Sequence, residues 1–309
     1  MKRMFFRKND NGIKVSYIKK DRHIPIHFFM AVICFISVYA FLIVIGSSLQ
    51  SQKEVYECGY RAIPKKISFE AYKYIFNAPK KIINAYGVTF ITTVIGTVLG
   101  VWLTATYGYV ISRRDYPYRN LLSIAALFTM LFSGGLVATY IVTTQWLRLY
   151  NNIWVLILPG MVTPWNIMLM KSFFSDISNE IIEAAKIDGA GEFKIFASIV
   201  LPMSKPVIAA ISLFLALGYW NDYMQSLLYI ESENLYKLQY LLMKILTDMD
   251  FLNSAQAADT GILDMMGGNI PSENARMAMC VIAAGPVLCI FPFFQKYFAK
   301  GLSLGSVKG

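Results

Sequence analysis

Apolar runs of membrane-crossing length recur along this chain at about 24–46, 84–110, 121–144, from beyond Asn152, 207–229 and 277–298, separated by polar segments. A helix needs roughly 20 apolar residues to cross the hydrocarbon of a bilayer, so runs of this length leave few other folds open. Composition agrees: of 309 residues 56% are apolar and 15% aromatic, and mean hydropathy is +0.48, too apolar for a soluble domain. The expectation is an all-α integral membrane protein with six transmembrane helices.

The net charge of +10 would suit a nucleic-acid binder, but Lys and Arg lie mainly between the apolar runs, where they act as topology signals, and no nucleic acid is expected as a partner. Residues 1–23 are polar and basic (Lys2, Arg3, Arg7, Lys8, Lys14, Lys19, Lys20, Arg22). The apolar run behind them is of spanning length and no small-residue cleavage site follows, which reads as an uncleaved first span with its amino terminus inside. In that orientation eighteen basic residues fall on inside segments and eleven outside, seven of these in the arm 47–82. The majority sets the assignment: a cytoplasmic basic tail (1–23), a first span with an external arm (24–82), a core of five helices (83–298) and a cytoplasmic carboxyl tail (299–309). Cys34, Cys280 and Cys289 fall in apolar runs and Cys58 outside them, so no disulfide framework or ligand spacing arises. His23 and His27 lack a nearby third ligand and read as interface residues.

Several runs are interrupted. Gly134-Gly135 would let a neighbouring helix approach closely. Pro159-Gly160 and Pro164 break the ladder of the fourth run, which lipid tolerates only where protein or a water-filled cavity satisfies the freed groups. That leaves two readings, a helix facing the bundle interior and a kink made for packing. Asp222, in Trp220-Asn221-Asp222-Tyr223, is the one carboxylate inside a run; it either marks a pathway or sits at the outer mouth as a cap held by backbone donors. The acidic segment 231–273 has an amphipathic middle in Leu238, Leu241, Leu242 and Ile245, and the stretch from Ser68 to Tyr72 could begin a short helix.

Between the fourth and fifth spans the sequence reads Glu183-Ala184-Ala185, then Gly189, then Ile199, Leu201 and Pro202. Ser178 or Asn179 can cap a short helix with Ile181, Ile182 and Ala185 on one side, and Gly189 supplies the backbone freedom that ends it. Glu192 opens a second segment in which Phe193, Phe196 and Ile199 recur at helical spacing, with Pro202 expected to end it. The product, 176–204, is a bent helical hairpin at the membrane surface. Its apolar stripe would lie on its own bundle, leaving Glu180, Glu183 and Asp188 free for a partner.

The spacing Glu-Ala-Ala, three residues, Gly, nine residues, Ile, one residue, Leu-Pro resembles the EAA loop of permease subunits of binding-protein-dependent ABC importers, and every motif position matches. Other stretches are similar to the carbohydrate branch of these permeases, of maltose and multiple-sugar type. They include Phe132-Ser133-Gly134-Gly135, Leu158-Pro159-Gly160, Met170-Lys171-Ser172-Phe173-Phe174, Ile187-Asp188-Gly189-Ala190, Trp220-Asn221-Asp222, and Lys300-Gly301 with Gly305, Val307, Lys308 and Gly309. The external arm and the Phe-Ser-Gly-Gly stretch most resemble permeases grouped with oligosaccharide and polysaccharide-derived substrates. Two positions depart from the pattern: Ser178 stands where many relatives have proline, and Ala138 precedes Thr139 where Pro-Thr is usual.

The resemblance implies a type I ABC importer transmembrane domain in a bacterial plasma membrane. Its partners would be a second permease, two ATPase subunits, an extracellular lipid-anchored solute-binding protein and membrane lipid, with a carbohydrate as cargo. ATP and Mg would be bound by the ATPase subunits; the chain has no Gly-x4-Gly-Lys-Ser/Thr loop, and neither a cofactor nor enzymatic activity of its own is expected. By the same resemblance, Glu183, Ala184, Ala185, Asp188, Gly189, Ile199, Leu201 and Pro202 would form the ATPase-docking loop. Glu183 would pair with a basic residue of the ATPase, Gly189 would permit the bend and the alanines would keep the contact close. Asn166, Trp220, Asn221 and Asp222 are the candidates for the translocation pathway. A permease for a non-sugar solute is the nearest alternative. An ion-coupled secondary transporter or an intramembrane enzyme would need inverted repeats, midplane charges beyond Asp222, or a cluster of His, Cys or carboxylates, none of which the sequence offers.

Overall fold

Residues 6–8, 14–16, 24–77, 79–252 and 273–304 are described by a computed structural model. In the tail a short antiparallel ribbon pairs β1 (Phe6–Lys8) with β2 (Lys14–Ser16), Arg7 opposite Val15. Among the described residues everything else with regular structure is helical. The other basic residues of the amino-terminal tail, the residues at 253–272, and the Gly305–Gly309 signature lie outside the described residues.

α1 (Ile24–Ser48) is apolar all round and lies at the edge of the bundle, with its apolar stretch turned outward until Gly46, Ser47 and Ser48 become buried. Such a helix needs lipid around it. The arm that follows carries α2 (Gln52–Cys58), whose Ser51 cap accepts from the Glu54 N–H, and α3 (Glu70–Ile75), close to where the sequence expected a short helix. α4 (Pro79–Ser112) has 34 residues, about 50 Å at 1.5 Å each, longer than the roughly 30 Å thickness of the hydrocarbon.

α5 (Arg119–Leu131) and α6 (Gly135–Ile141), which runs on into a wide turn at Val142–Trp146, meet at 116°. The expected helix-packing role of Gly134-Gly135 is thus corrected. Gly135 takes φ +78° and a side chain there would meet nothing within 4 Å, so the pair turns the chain instead of admitting a neighbour. The fourth run begins as two 3₁₀ turns, Ile153–Leu156 and Leu158–Gly160, and continues as α7 (Pro164–Ser175) after a 48° bend. Both prolines stand in the first turn of a new segment, where a missing N–H costs nothing. Val155, Leu156 and Ile157 are buried, and the Ile157 carbonyl accepts from the Tyr219 hydroxyl at 2.6 Å, so this segment faces the bundle interior.

α8 (Asn179–Ile187) and α9 (Glu192–Ile195) form the surface hairpin, and the chain passes through a wide turn at Phe196–Val200 and the short α10 (Leu201–Met203) into α11 (Lys205–Asn221). Pro202 does not end this leg as expected. The five-residue turn ahead of it makes room for the ring and the missing donor, and the break comes at Ser204, with a bend of 82° into α11. The fifth span is also shorter than the sequence suggested. α11 stops at Asn221, Asp222 is its cap with extended backbone, and α12 (Met224–Tyr229) is a separate helix. A 3₁₀ turn at Glu233–Leu235 leads to α13 (Leu238–Leu252), which buries Leu238, Leu241 and Leu242 as the amphipathic pattern required. α14 (Glu273–Leu304) closes the described chain.

Among the described residues, three uninterrupted helices and three bent pairs make six spans when each pair counts as one. α4 is the spine, packed along α7 and α11, while α14 packs on α1 and α11. Gly96 on α4 lies under the Tyr219 ring, which a Cβ would meet at 2.4 Å, so two helices touch there only because one has no side chain. Two large apolar cores result, with a small third one at Ile111, Ala126 and Ile167. One, at the end formed by α3, α13 and the start of α14, includes Ile75, Ile82, Leu156, Trp220, Tyr229, Leu238 and Met279. The other lies behind the hairpin.

Candidate functional site: a surface hairpin and a bundle cavity

The hairpin is closed by local chemistry. The Ser178 hydroxyl accepts from the Glu180 N–H at 3.3 Å, capping α8. At the other end Gly189 adopts φ +76°, and its N–H and that of Ala190 donate to the Lys186 and Ala185 carbonyls at 3.0 and 2.9 Å. This is a Schellman closure, which requires a left-handed residue where Gly189 stands. The inner side buries Ile182, Ala185, Ile195, Phe196 and Val200 against Ala105 and Tyr109 of α4, Met170 and Phe174 of α7, and Val207, Ile211 and Leu215 of α11. Relative to water, each fully buried large side chain contributes roughly 1.5–3 kcal/mol. Tyr109 is the hub, 5.0 Å from the Phe196 ring and 6.4 Å from the Phe174 ring, and its hydroxyl donates to Glu192 Oε2 at 2.6 Å. Ile199 and Leu201 are half-buried against this core, and Pro202 is exposed.

The outer side differs from the expectation. Glu180, Glu183 and Asp188 are exposed as expected, and so is Ala184, but Ala185, which the resemblance placed at the docking contact, is buried against the bundle. Ile181 and Phe193, read from spacing as inward, are 40% and 69% exposed, and Ile187 is 86% exposed. Only part of each helical stripe can face the bundle because the hairpin is two short helices at an angle. The remaining apolar residues form an outward patch edged by carboxylates.

Lys186 latches the hairpin to the α4–α5 turn, 2.7 Å from Asp115 Oδ2 and 2.8 Å from Glu192 Oε1. Its hydrogen bond to Asp115, and then that to Glu192, raise the Lys186 pKa, and the same contact lowers that of Asp115.

The second feature is a cavity of about 560 Å³ between the broken fourth span and α11. Asn166, Trp165 and Thr163 line one wall, Phe214, Leu215 and Gly218 the other, and Asp222 and Gln225 one end. Gln225 Oε1 is buried without a protein partner. Leu215 belongs both to this wall and to the core behind the hairpin, so one side chain joins the two sites. Of the four pathway candidates the structure brings Asn166 and Asp222 into one cavity. Trp220 is turned away, its indole N–H donating to the Ala283 carbonyl at 3.0 Å and its ring against Tyr86. Asn221 is exposed and accepts from Gln239 at 3.4 Å.

The sequence reading missed Lys237. It is fully buried, donating to the Tyr219 carbonyl at 2.6 Å and to Asp222 Oδ2 at 3.0 Å. Asp222 also accepts from the Gln225 N–H at 3.2 Å, so it caps one helix start while neutralising a buried cation at the end of α11. A single lysine just before an apolar helix was the available signal.

Broken spans around a polar and aromatic cavity, with a hairpin of complete EAA spacing at one end, define the class of inner-membrane permeases. The chain belongs to the family of binding-protein-dependent transport system inner membrane components, whose model matches residues 120–304. It is 40% identical over 285 residues to the polygalacturonan/rhamnogalacturonan transport system permease protein YtcP of Bacillus subtilis (strain 168), covering 92% of this chain and 97% of that one. It is 39% identical over 277 residues to Protein LplC of the same organism, covering 89% and 90%. In structure it is similar, with TM-score 0.75, 26% identity and coverage of 91% and 99%, to a chain of a crystal structure of a bacterial ABC transporter involved in the import of the acidic polysaccharide alginate. The membership inferred from the EAA spacing is borne out.

Proposed function

We propose that this chain is one of two permease subunits of an ATP-driven importer that carries a sugar, an oligosaccharide or polysaccharide-derived fragment delivered by an extracellular binding protein. The polygalacturonan/rhamnogalacturonan transport role of YtcP and the alginate import of the structural neighbour support the carbohydrate class. The observation that carries the mechanism is the hairpin, rigidly closed by Gly189, packed inward on α4, α7 and α11, and apolar on its outward side.

In this reading the hairpin end is cytosolic, both termini lie on that side, and each of the two ATPase subunits receives one hairpin, one from this chain and the other from the second permease. Ile181, Ala184, Ile187 and Phe193 fill the ATPase cleft, with Glu183 at its rim for a basic partner. Closure of the ATPase subunits on ATP drags the hairpin. The core shared with α7 and α11 then moves the cavity walls, because packed cores transmit displacement instead of absorbing it. In the cavity, Trp165 and Phe214 offer faces to a sugar ring, while Asn166, Asp222 and the unpartnered Gln225 Oε1 offer polar groups to its hydroxyls.

The test uses the assembled importer. Gly189→Pro, which cannot adopt φ +76°, and Glu183→Lys should abolish uptake and substrate-stimulated ATP hydrolysis while the chain still inserts and assembles. Normal transport in both variants would refute the docking role.

A further inference from the structure

A second cavity, of about 290 Å³, lies behind the hairpin where the ends of α4, α5, α7 and α8 converge, and the function proposed above makes no use of it. Four cations line it, Arg113, Arg114, Arg119 and Lys171, together with Ser175 and Asn179, and none of the lining residues is a carboxylate. Only one of the four is neutralised: Arg113 meets Asp115 at 3.1 Å and Glu192 at 3.8 Å. Its Nε–H is nevertheless buried with no acceptor. Among the described residues no carboxylate lies within 4.0 Å of Arg114, Arg119 or Lys171, and Lys171 gives a single hydrogen bond, to Ser123 Oγ at 3.0 Å. Like charges gathered around one small space, with an orphaned donor among them, ask for an anion with several acceptor oxygens.

The surroundings say which source supplies it. α5 rises from Arg119 with Leu121, Ile124, Phe128 and Leu131 turned outward, each more than half exposed, and the neighbouring Tyr118 is 61% exposed. An apolar stripe leading from a cationic pocket, with a tyrosine at the boundary, fits acyl chains above a headgroup. We propose that this cavity binds the phosphate of an anionic phospholipid whose chains lie along α5. Ile177, Asn179 and Ile182 form its wall on the hairpin side, so the headgroup braces the hairpin from behind.

The experiment reads lipid retention, which does not depend on transport and so can fail independently of the permease reading. The assembled importer is purified from bilayers of phosphatidylcholine mixed with phosphatidylglycerol, and bound lipid is quantified by mass spectrometry. Wild type should retain phosphatidylglycerol selectively, and Arg119→Gln with Lys171→Gln should lower that retention roughly tenfold or more, two charge-assisted contacts being lost. Arg114→Gln, on an exposed side chain that leaves the packing intact, should lower it less, and Lys194→Gln, an exposed hairpin cation outside the cavity, should leave it unchanged. Equal retention in wild type and the three cavity substitutions overturns the proposal. So does millimolar inorganic phosphate that displaces the lipid completely and matches its effect on thermal stability, since the site would then be one for the free ion.

Discussion

The two ends of the bundle are held by different physics. At the end built from α3, α13 and the start of α14, buried polar ties run between elements distant in sequence: Lys237 to Asp222 and the Tyr219 carbonyl, the Leu238 N–H to Thr89 at 2.8 Å, Asn274 to the Gln50 carbonyl at 3.1 Å, and Trp220 to Ala283. At the hairpin end the ties are short-range caps, half-exposed ion pairs and one part-buried bond, from the Tyr109 hydroxyl to Glu192, and the apolar core leaves Ile187 and Phe193 uncovered. A buried polar tie fixes one geometry, because breaking it leaves an unsatisfied group in a medium that cannot supply another partner. An exposed ion pair does not. The first end therefore holds its shape, and the second is made to be moved and completed by a partner.

Substitutions that break the fixed end should show the largest losses of stability. Asp222→Ala leaves the Lys237 ammonium without its charge partner and should cost about 3–5 kcal/mol, read as a fall in Tm of the purified protein. Adding Lys237→Met should restore most of that loss; a double variant no better than the single would mean that the two groups act independently. Gly96→Val comes next. It drives a side chain into the Tyr219 ring, which the Ile157 carbonyl holds in place, and should cost at least the roughly 1–3 kcal/mol of an overpacked core. Pairing it with Tyr219→Leu should relieve the clash, although the Ile157 carbonyl then loses its donor.

Much of the fixed end was legible in the sequence only as spans. Length gave α1 and α4, period marked the apolar face of α13 without its extent as a helix, and the proline pair gave the break in the fourth run, because those are local effects of backbone chemistry. What escaped was long-range. Lys237 reads as one more loop lysine until the fold places it beneath the end of α11, and Trp220 reads as a pathway aromatic until α14 packs over it. At the hairpin the reverse held. Gly189, the Ser178 cap and the Glu-Ala-Ala spacing are local signals and gave two helices and a turn, while helical spacing alone could not say that a surface hairpin buries only half of each stripe, leaving Ile181 and Phe193 outside.

Substitutions at the movable end should separate stability from coupling. Gly189→Ala places a Cβ on a left-handed residue with open space around it, so the cost is backbone strain alone, about 1–2 kcal/mol. Tm should fall by little while uptake by the assembled importer drops several-fold; a variant that loses Tm as heavily as Asp222→Ala would erase the distinction between the two ends.

The smallest effect belongs to the Lys186 latch, and its pH dependence follows from the two shifts. Asp115 titrates below its ordinary value, so its contribution is present above about pH 4 and fades as pH falls through the lowered folded value. Lys186 titrates above its ordinary value, so its share is present below about pH 10 and fades as pH rises through the raised one. The latch is therefore whole across neutral pH and weakens at both extremes. With the Asp115 and Lys186 side chains 53% and 39% exposed, solvent screening keeps the pair below about 1 kcal/mol. Lys186→Gln should consequently speed amide hydrogen exchange around residues 186–192 at neutral pH and low salt, without shifting Tm by more than about a degree or two. In 1 M salt, where the screening length is about 3 Å, the difference from wild type should shrink toward nothing. A difference that persisted there would mean that the hairpin is held by burial of the Lys186 stem, making this end more like its opposite than the geometry allows.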